Sequence, residues 1–327
     1  MRVRRRRGGR EGSPSGTTVF FSSDIHGSDV CWFKFINAAR AFNATVLVMG
    51  GDLSGKAVVP IVRTGKGSYQ LEFLGQRSSL SDEDLPEAKR SISFNGCYPY
   101  VCDEDEVALL DDGDYLNGVF RTVIGDQIAK WLKVAEDRLR PAGVALYVMP
   151  GNDDEFFIDD ILRDSETVVN PDRRVVRVGP FQMLSCSWVP PTPWDSPREC
   201  SEEDLADMLD NLTAQLDPSL PTIMNLHSPP YASGLDDAPL LNPDLSVART
   251  AGQARLVPVG SHAVREVIER TQPVVALHGH IHESRGVATL GSTKCVNPGS
   301  SYGDGTLDGC IVRLTNDSLR DVQLIRG

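Results

Sequence analysis

A chain of 327 residues with 40% hydrophobic content can bury a sizeable core in one large domain or two small ones. No run of about 18 apolar residues marks a membrane span. The formal charge of −12 is uneven: residues 1–11 hold six Arg and one Glu, a net +5, so the remainder carries −17, which disfavours a broad nucleic-acid groove. A small phosphorylated substrate stays possible, because bound cations would make a site locally positive. The seven cysteines, at 31, 97, 102, 186, 200, 295 and 310, are odd in number and lack zinc-type spacing. They read as free thiols in a cytoplasmic protein.

Residues 1–16 are Arg-rich, then rich in Gly, Ser and Pro, and lack the apolar stretch a twin-arginine signal needs. They read as a disordered tail. Residues 17–22 form an apolar run that predicts a buried strand ending at Asp24-Ile25-His26. A helix follows over 30–42, with Ser28 or Asp29 as N-cap. Residues 45–49 predict the next strand, which delivers Gly51-Asp52. About 56–120 reads as an insertion into a single domain spanning 17–327. Within it, 58–63 and 68–74 flank Thr64-Gly65-Lys66-Gly67 as a hairpin, and acidic polar segments follow at 81–90 and 103–114. Ile128, Trp131, Leu132, Ala135 and Leu139 then fall at helical spacing.

Residues 144–149 predict a strand leading to Gly151-Asn152-Asp153-Asp154. Pro190, Pro191, Pro193 and Pro197 make 188–198 a rigid loop, and Leu205, Met208, Leu209, Leu212 and Leu216 mark one helix face. A strand over 222–226 ends at His227, and one over 274–277 ends just before Gly279-His280-Ile281-His282. The recurring form is strand, Gly or polar loop, ligand. Open α/β sheets place their sites beyond the carboxyl ends of strands in this way.

Carboxylate, imidazole and amide donors without thiolates suit divalent ions in a catalytic rather than a structural site. Asp24 with His26, and His280 with His282, stand two residues apart, so each pair can face one ion. Asp52 suits the carboxylate bridge that two ions about 3.5–4 Å apart require. Taken singly, the fragments have ordinary readings. His227 is a surface or hydrogen-bonded histidine, Asn152 a turn residue, and Asp153-Asp154 an acidic pair at a helix start. Five in order, each after a strand, point to a two-metal site. His278 reads as a core residue or one that supports the ligands, and His262 as a structural residue at a helix end. Lys56, Arg285 and Ser300 are candidates for substrate contact, although Pro298-Gly299-Ser300 also reads as a plain turn.

On these fragments the chain resembles the calcineurin-like metallophosphoesterases, from about Thr17 to Gly327 less the insertion. The resemblance implies an α/β four-layer sandwich, two mixed β-sheets flanked by helices, here with an inserted hairpin-plus-helix subregion. It implies two divalent ions, manganese first, with iron, zinc, nickel or cobalt as alternatives. Asp24, His26, Asp52 and His282 would hold one; Asp52, Asn152, His227 and His280 would hold the other. A hydroxide shared by the metals would attack phosphorus.

The family's fourth fragment is usually Gly-Asn-His-Asp/Glu, whose histidine protonates the leaving oxygen. Asp153 stands there instead, beside Asn152. Gly55-Lys56 replace the Asp-Arg pair of the phosphoprotein phosphatases, and Ser54-Gly55 replace the tyrosine segment of the purple acid phosphatases. The nearest remaining branch is the bacterial and archaeal phosphodiesterase-like one. The implied activity is hydrolysis of a phosphodiester, with a nucleotide-derived substrate as one option. A broad-specificity phosphomonoesterase and a non-catalytic adaptor on the same fold are the alternatives. The acidic body argues against a repair nuclease and leaves a small phosphate ester as the expected partner.

Overall fold

The structure is a computed structural model and describes residues 16–327. The Arg-rich tail read at 1–16 lies, but for Gly16, outside the described residues. Among the described residues no helix is long and apolar enough to cross a membrane.

Two six-stranded sheets carry the ligand loops. The first runs in the order Leu319–Arg326, Asp308–Leu314, Thr17–Ser22, Val46–Met49, Ala145–Val148, Val168–Val169. Its last four strands are parallel, and the two C-terminal strands add antiparallel at one edge. The second runs Gly286–Leu290, Thr293–Asn297, Val275–Leu277, Thr222–Leu226, Phe181–Cys186, Arg174–Val178. Its four central strands are parallel, with an antiparallel strand on each edge.

Side-chain alternation along the strands sets the layers. Val19 and Phe21 turn toward the second sheet and pack with Met183, Ile223, Val275 and Val312. Phe20, between them, turns outward to Trp32 and Phe35. On the second sheet Leu184, Met224 and Ala276 turn outward to Leu205, Leu209, Val264 and Ile268. Helices Asp29–Ala41 and Gly113–Leu139 cover the first sheet, while Glu202–Thr213 and His262–Thr271 cover the second. The result is helix, sheet, sheet, helix, the four-layer sandwich that the resemblance implies. Parallel strands with both faces covered read as continuous apolar runs, as Val46–Met49 does.

The region after Asp52 is larger than a hairpin and a helix. It folds into a four-stranded sheet ordered Gln76–Ser81, Ser68–Phe73, Ala57–Gly65, Cys97–Asp103. Val59, Ile61, Tyr69 and Leu71 pack there on Ala88 and Ile92. Those two residues belong to the helix Leu85–Phe94, whose first part lies in the 81–90 segment that reads as acidic and polar in sequence. Cys97–Asp103 pairs parallel with Ala57–Gly65 across the intervening hairpin. A short helix, Glu104–Leu109, follows, and the long helix after it begins at Gly113, well ahead of Ile128, where its apolar period becomes clear. Leu216 falls beyond the helix Glu202–Thr213, although Leu205, Leu209 and Leu212 are buried on it as their spacing predicts.

Helix Gly113–Leu139 ties the insertion to the first ligand loop. Trp131 stacks on Trp32 with ring centroids 5.0 Å apart. Its indole donates to Asp29 Oδ1 at 2.6 Å, and Gln127 Nε2 donates to the Gly27 carbonyl at 2.9 Å. Asp29 opens the helix Asp29–Ala41, which Ser28 caps by accepting from the Cys31 amide at 3.3 Å. Trp131 is 1% exposed. We therefore expect Trp131→Ala to cost about 3–5 kcal/mol, read as a lower urea midpoint at unchanged slope. A loss below about 1 kcal/mol would mean that the stack and its Asp29 contact contribute little.

Candidate metal centre

The ligand loops are stitched together by their backbones at the carboxyl ends of adjacent strands. Asp24 N donates to Gly51 O at 2.9 Å, His26 N to Asp52 O at 3.0 Å and Gly27 N to Leu53 O at 2.8 Å. Gly279 N donates to His227 O at 3.0 Å, and Ser300 N to His282 O at 3.2 Å. These bonds hold Asp24, His26, Asp52 and His280 at φ of 57°, 37°, 52° and 66°, in the left-handed region. Such a conformation costs roughly 1–3 kcal/mol per non-glycine residue and persists only where the surroundings over-determine it. The His280 amide contributes by donating to both oxygens of Asp24, at 2.9 and 3.1 Å.

All seven expected ligands come together. Asp24, His26, Asp52 and His282 each offer an atom within 4.8 Å of the others. His26 Nε2 lies 3.1 Å from His282 Nε2 and 3.6 Å from Asp52 Oδ2, and His282 Nε2 lies 3.5 Å from Asp24 Oδ1. On the other side of Asp52, His227 Nε2 is 3.5 Å from Asp52 Oδ2 and 3.0 Å from Asn152 Oδ1. The His280 ring stands beside His227, with centroids 5.4 Å apart. Asp52 therefore faces both groups.

The donor chemistry fits cations. His227 Nδ1 donates to the Gly50 carbonyl at 2.9 Å, which leaves Nε2 facing Asn152 Oδ1. The Asn152 amide nitrogen is spent on Ser196 Oγ at 2.8 Å and Asp153 Oδ1 at 2.9 Å, which turns its oxygen toward His227. Two acceptors so placed need a proton or a cation between them. The same holds for the facing nitrogens of His26 and His282. Two donor atoms each about 2.0–2.1 Å from one ion stand roughly 3.0–3.4 Å apart, which is the spacing of both pairs.

Burial would raise the Asp24 carboxyl, but the hydrogen bond from His282 and the charges of His227, His282 and His26 hold it far below its usual range. Burial, then His282 and Lys56, push His26 down to about 3, and burial with His227 pushes His280 down to about 3, so both rings are neutral donors. Burial, together with Asp153 and Asp24, lifts Asp52 to about 6 against the pull of His227. His227 is lifted to about 9, because Asp52, Asp24 and the Gly50 carbonyl outweigh its burial.

Residues that the sequence reading did not assign hold this arrangement. Asp154, wholly buried, accepts from the Leu53 and Ser54 amides, the Ser54 hydroxyl and the Gly151 amide. It thereby clamps the Asp52 loop to the Asn152 loop. Ser196 Oγ, which fixes the Asn152 amide, donates in turn to Glu199 Oε1 at 2.6 Å. Arg198, also fully buried, donates from Nε to the Asp154 carbonyl at 3.0 Å and pairs with Asp159 at 2.9 Å. Two consecutive acids after Asn152 were a local signal for Asp154. The roles of Ser196 and Glu199 had none, since the Pro-rich loop meets Asn152 only in the fold.

The remaining candidates separate. Lys56 Nζ lies 2.7 Å from Asp153 Oδ2 at the rim of the centre. The Ser300 hydroxyl donates to the Asp24 carbonyl at 2.6 Å, and Arg285 Nε is 3.4 Å from Asp308 Oδ1, so both face structural partners. His278 is buried with Nδ1 on the Leu226 and Ser228 carbonyls, and His262 opens its helix and stacks on Tyr231. Tyr302, with its ring 4.7 Å from that of His26, walls the centre beside Lys56.

A Cβ on Gly279 would lie 2.3 Å from Asp24 Oδ2 and 2.2 Å from Ser23 Oγ. Gly279→Ala is expected to leave the circular-dichroism spectrum intact and to displace Asp24, with loss of at least one equivalent of metal by elemental analysis. Asp52→Asn should also lose metal, because a neutral amide cannot offset two dications. Full metal content in both variants would remove Asp24 and Asp52 from the ligand set.

No family model matches the chain. It is similar to an uncharacterised protein of Methanocaldococcus jannaschii, 29% identical over 152 residues. That match covers 46% of this chain and 62% of the relative, less than two thirds of the relative's length. One crystal structure superposes with a TM-score of 0.54 and 16% identity over 95% of this chain and 99% of the other. A crystal structure of a Thermus thermophilus protein superposes with a TM-score of 0.52 and 15% identity over 95% and 98%. At these identities the two likenesses show a shared fold along nearly the whole of each chain.

Proposed function

We propose that the chain is a two-metal phosphoesterase of the metallophosphoesterase superfamily that hydrolyses a phosphodiester. The observation that carries this reading is the pair of close histidine, carboxylate and amide clusters on either side of Asp52. Asp24, His26, Asp52 and His282 would hold one divalent ion; Asp52, Asn152, His227 and His280 would hold the other. Such ions supply Lewis acidity toward phosphoryl oxygens and activate the attacking water.

The chain's own contribution is orientation and charge. Asn152 is set by the Ser196–Glu199 hydrogen bonds, so its oxygen stays on the site. Asp153 is hydrogen-bonded through its amide to Asp52 Oδ1 at 3.1 Å, while its carboxylate accepts from Lys56 and Asn152. With donors on both oxygens, Asp153 is arranged as an acceptor and not as the proton donor that histidine provides in related enzymes. Burial lowers Lys56, but Asp153 and Asp52 outweigh it and keep the ammonium charged. That ammonium is placed to neutralise a phosphoryl or leaving oxygen without giving up its proton. These features favour an ester whose leaving oxygen needs no proton, which is a diester with an acidic leaving group.

General acid catalysis contributes about 10²–10⁴-fold, so its absence selects substrates and does not abolish turnover. We expect metal-loaded protein to show higher kcat/KM on an aryl phosphodiester than on an alkyl monoester. Asp153→Ala should cost little on the aryl diester. Asp153→His should raise alkyl-ester turnover by about 10-fold or more. If Asp153→Ala abolishes aryl-diester turnover with both metals retained, Asp153 has an essential role that this account lacks. If the protein cleaves only monoesters, the diesterase assignment fails.

A further inference from the structure

We infer that the groove beside Lys56 and Asp153 is a nucleoside subsite, which takes a planar base carried by one ester substituent of the substrate. The groove encloses about 770 Å³ between helix Gly113–Leu139 and the Pro-rich loop, within the roughly 300–1,000 Å³ of small-molecule sites. Its inner end reaches the rim of the metal centre: Asp153 and Lys56 line the groove, and the Asp153 amide donates to Asp52 Oδ1. A phosphoryl group over the ligand cluster therefore has an open route for one substituent along this groove.

The walls have the chemistry of base recognition. Trp194 lines the groove and is 61% exposed, so a flat indole face is available for stacking. It stands on a loop that is already ordered. The Trp194 amide donates to Thr192 Oγ1 at 3.1 Å, and Thr192 donates from its amide and hydroxyl to Glu199 at 2.8 and 2.6 Å. Little entropy remains to be lost when a ligand stacks there. Across the groove, Phe120 and Arg121 project from the helix, and the Arg121 guanidinium is held 4.8 Å over the Phe157 ring. A guanidinium fixed in that plane offers donors to the carbonyl or ring-nitrogen edge of a base.

The rim narrows the ligand class. Glu155 and Asp195 line the same groove. Two carboxylates oppose a further phosphate, so the occupant ends in a neutral nucleoside and does not continue as a nucleic-acid strand. Glu199 also joins the subsite to catalysis, since it holds both the Trp194 turn and, through Ser196, the Asn152 amide.

This inference rests on the phosphodiesterase reading of the adjoining centre, and the test separates the two. Binding of uncleavable 5′-phosphonate analogues of adenosine and uridine, and of base-free ribose 5-phosphonate, is measured by calorimetry on metal-loaded protein. Turnover of an aryl phosphodiester is measured on the same preparation. The nucleoside analogues should bind at least about 10-fold tighter than the base-free one, Trp194→Ala should weaken them roughly 5- to 50-fold, and Trp194→Phe should retain most of the affinity. Equal binding of base-bearing and base-free ligands, or binding indifferent to Trp194→Ala, overturns the subsite even where the aryl diester is cleaved. Base-dependent binding that needs Trp194, with no ester cleaved, upholds the subsite and overturns the hydrolase reading alone.

Discussion

Two close pairs of polar atoms flank Asp52 in this protein: His26 Nε2 with His282 Nε2, and His227 Nε2 with Asn152 Oδ1, at 3.1 and 3.0 Å. Each pair stands so close only with a proton or a cation between its two atoms. The surrounding architecture keeps the pairs in place. Ladders between neighbouring loops tie Asp24 to Gly51, His26 to Asp52 and Gly279 to His227. Four of the seven ligands sit in left-handed backbone, an outlay of roughly 1–3 kcal/mol each. The two sheets with their apolar interior are the rigid support against which this strain is held.

Burial and charge work against each other in the centre, and the balance differs residue by residue. Asp24 stays ionised because three histidines surround it. His26 and His280 stay neutral because burial withholds the proton. Burial raises Asp52 against the pull of His227, while Asp52 and Asp24 raise His227 against its burial. Divalent ions invert this local logic by replacing protons as the compensating charge. The acidic body, at a net −17 outside residues 1–11, is compatible with an anionic substrate only through such a local reversal.

Support for the ligands converges from distant segments. Asp154 spans the Asp52 and Asn152 loops with four donors on one carboxylate. Arg198 and Ser196 come from the Pro-rich loop after strand Phe181–Cys186 and meet the Asn152 fragment from the other side. Glu199 binds Thr192 and Ser196 together, so one carboxylate holds both the groove wall and the serine that fixes the Asn152 amide. Helix Gly113–Leu139 does the same for the first fragment, through Gln127 on the Gly27 carbonyl and Trp131 on Asp29. The centre is thus braced by the insertion on one face and by the Pro-rich loop on the other.

The sequence by itself determined the strands that end at ligands, because apolar runs buried on both faces and followed by Gly-Asp or Asp-Ile-His need no tertiary knowledge to read. It also picked out the seven carboxylate, imidazole and amide side chains in order, and the structure brings them together around Asp52. Only the tertiary structure decided the inserted sheet, since Cys97–Asp103 pairs with Ala57–Gly65 over a long separation and Leu85–Phe94 hides a two-residue apolar face among charges. Only the tertiary structure separated Lys56, which meets Asp153, from Arg285 and Ser300, which turn to Asp308 and the Asp24 carbonyl. The orientation of Asn152 was equally out of reach. An amide has no preferred direction in sequence, and its partners Ser196 and Glu199 lie more than forty residues away. Local periodicity records which face of an element is buried, whereas the aim of a polar side chain depends on whatever the fold brings against it.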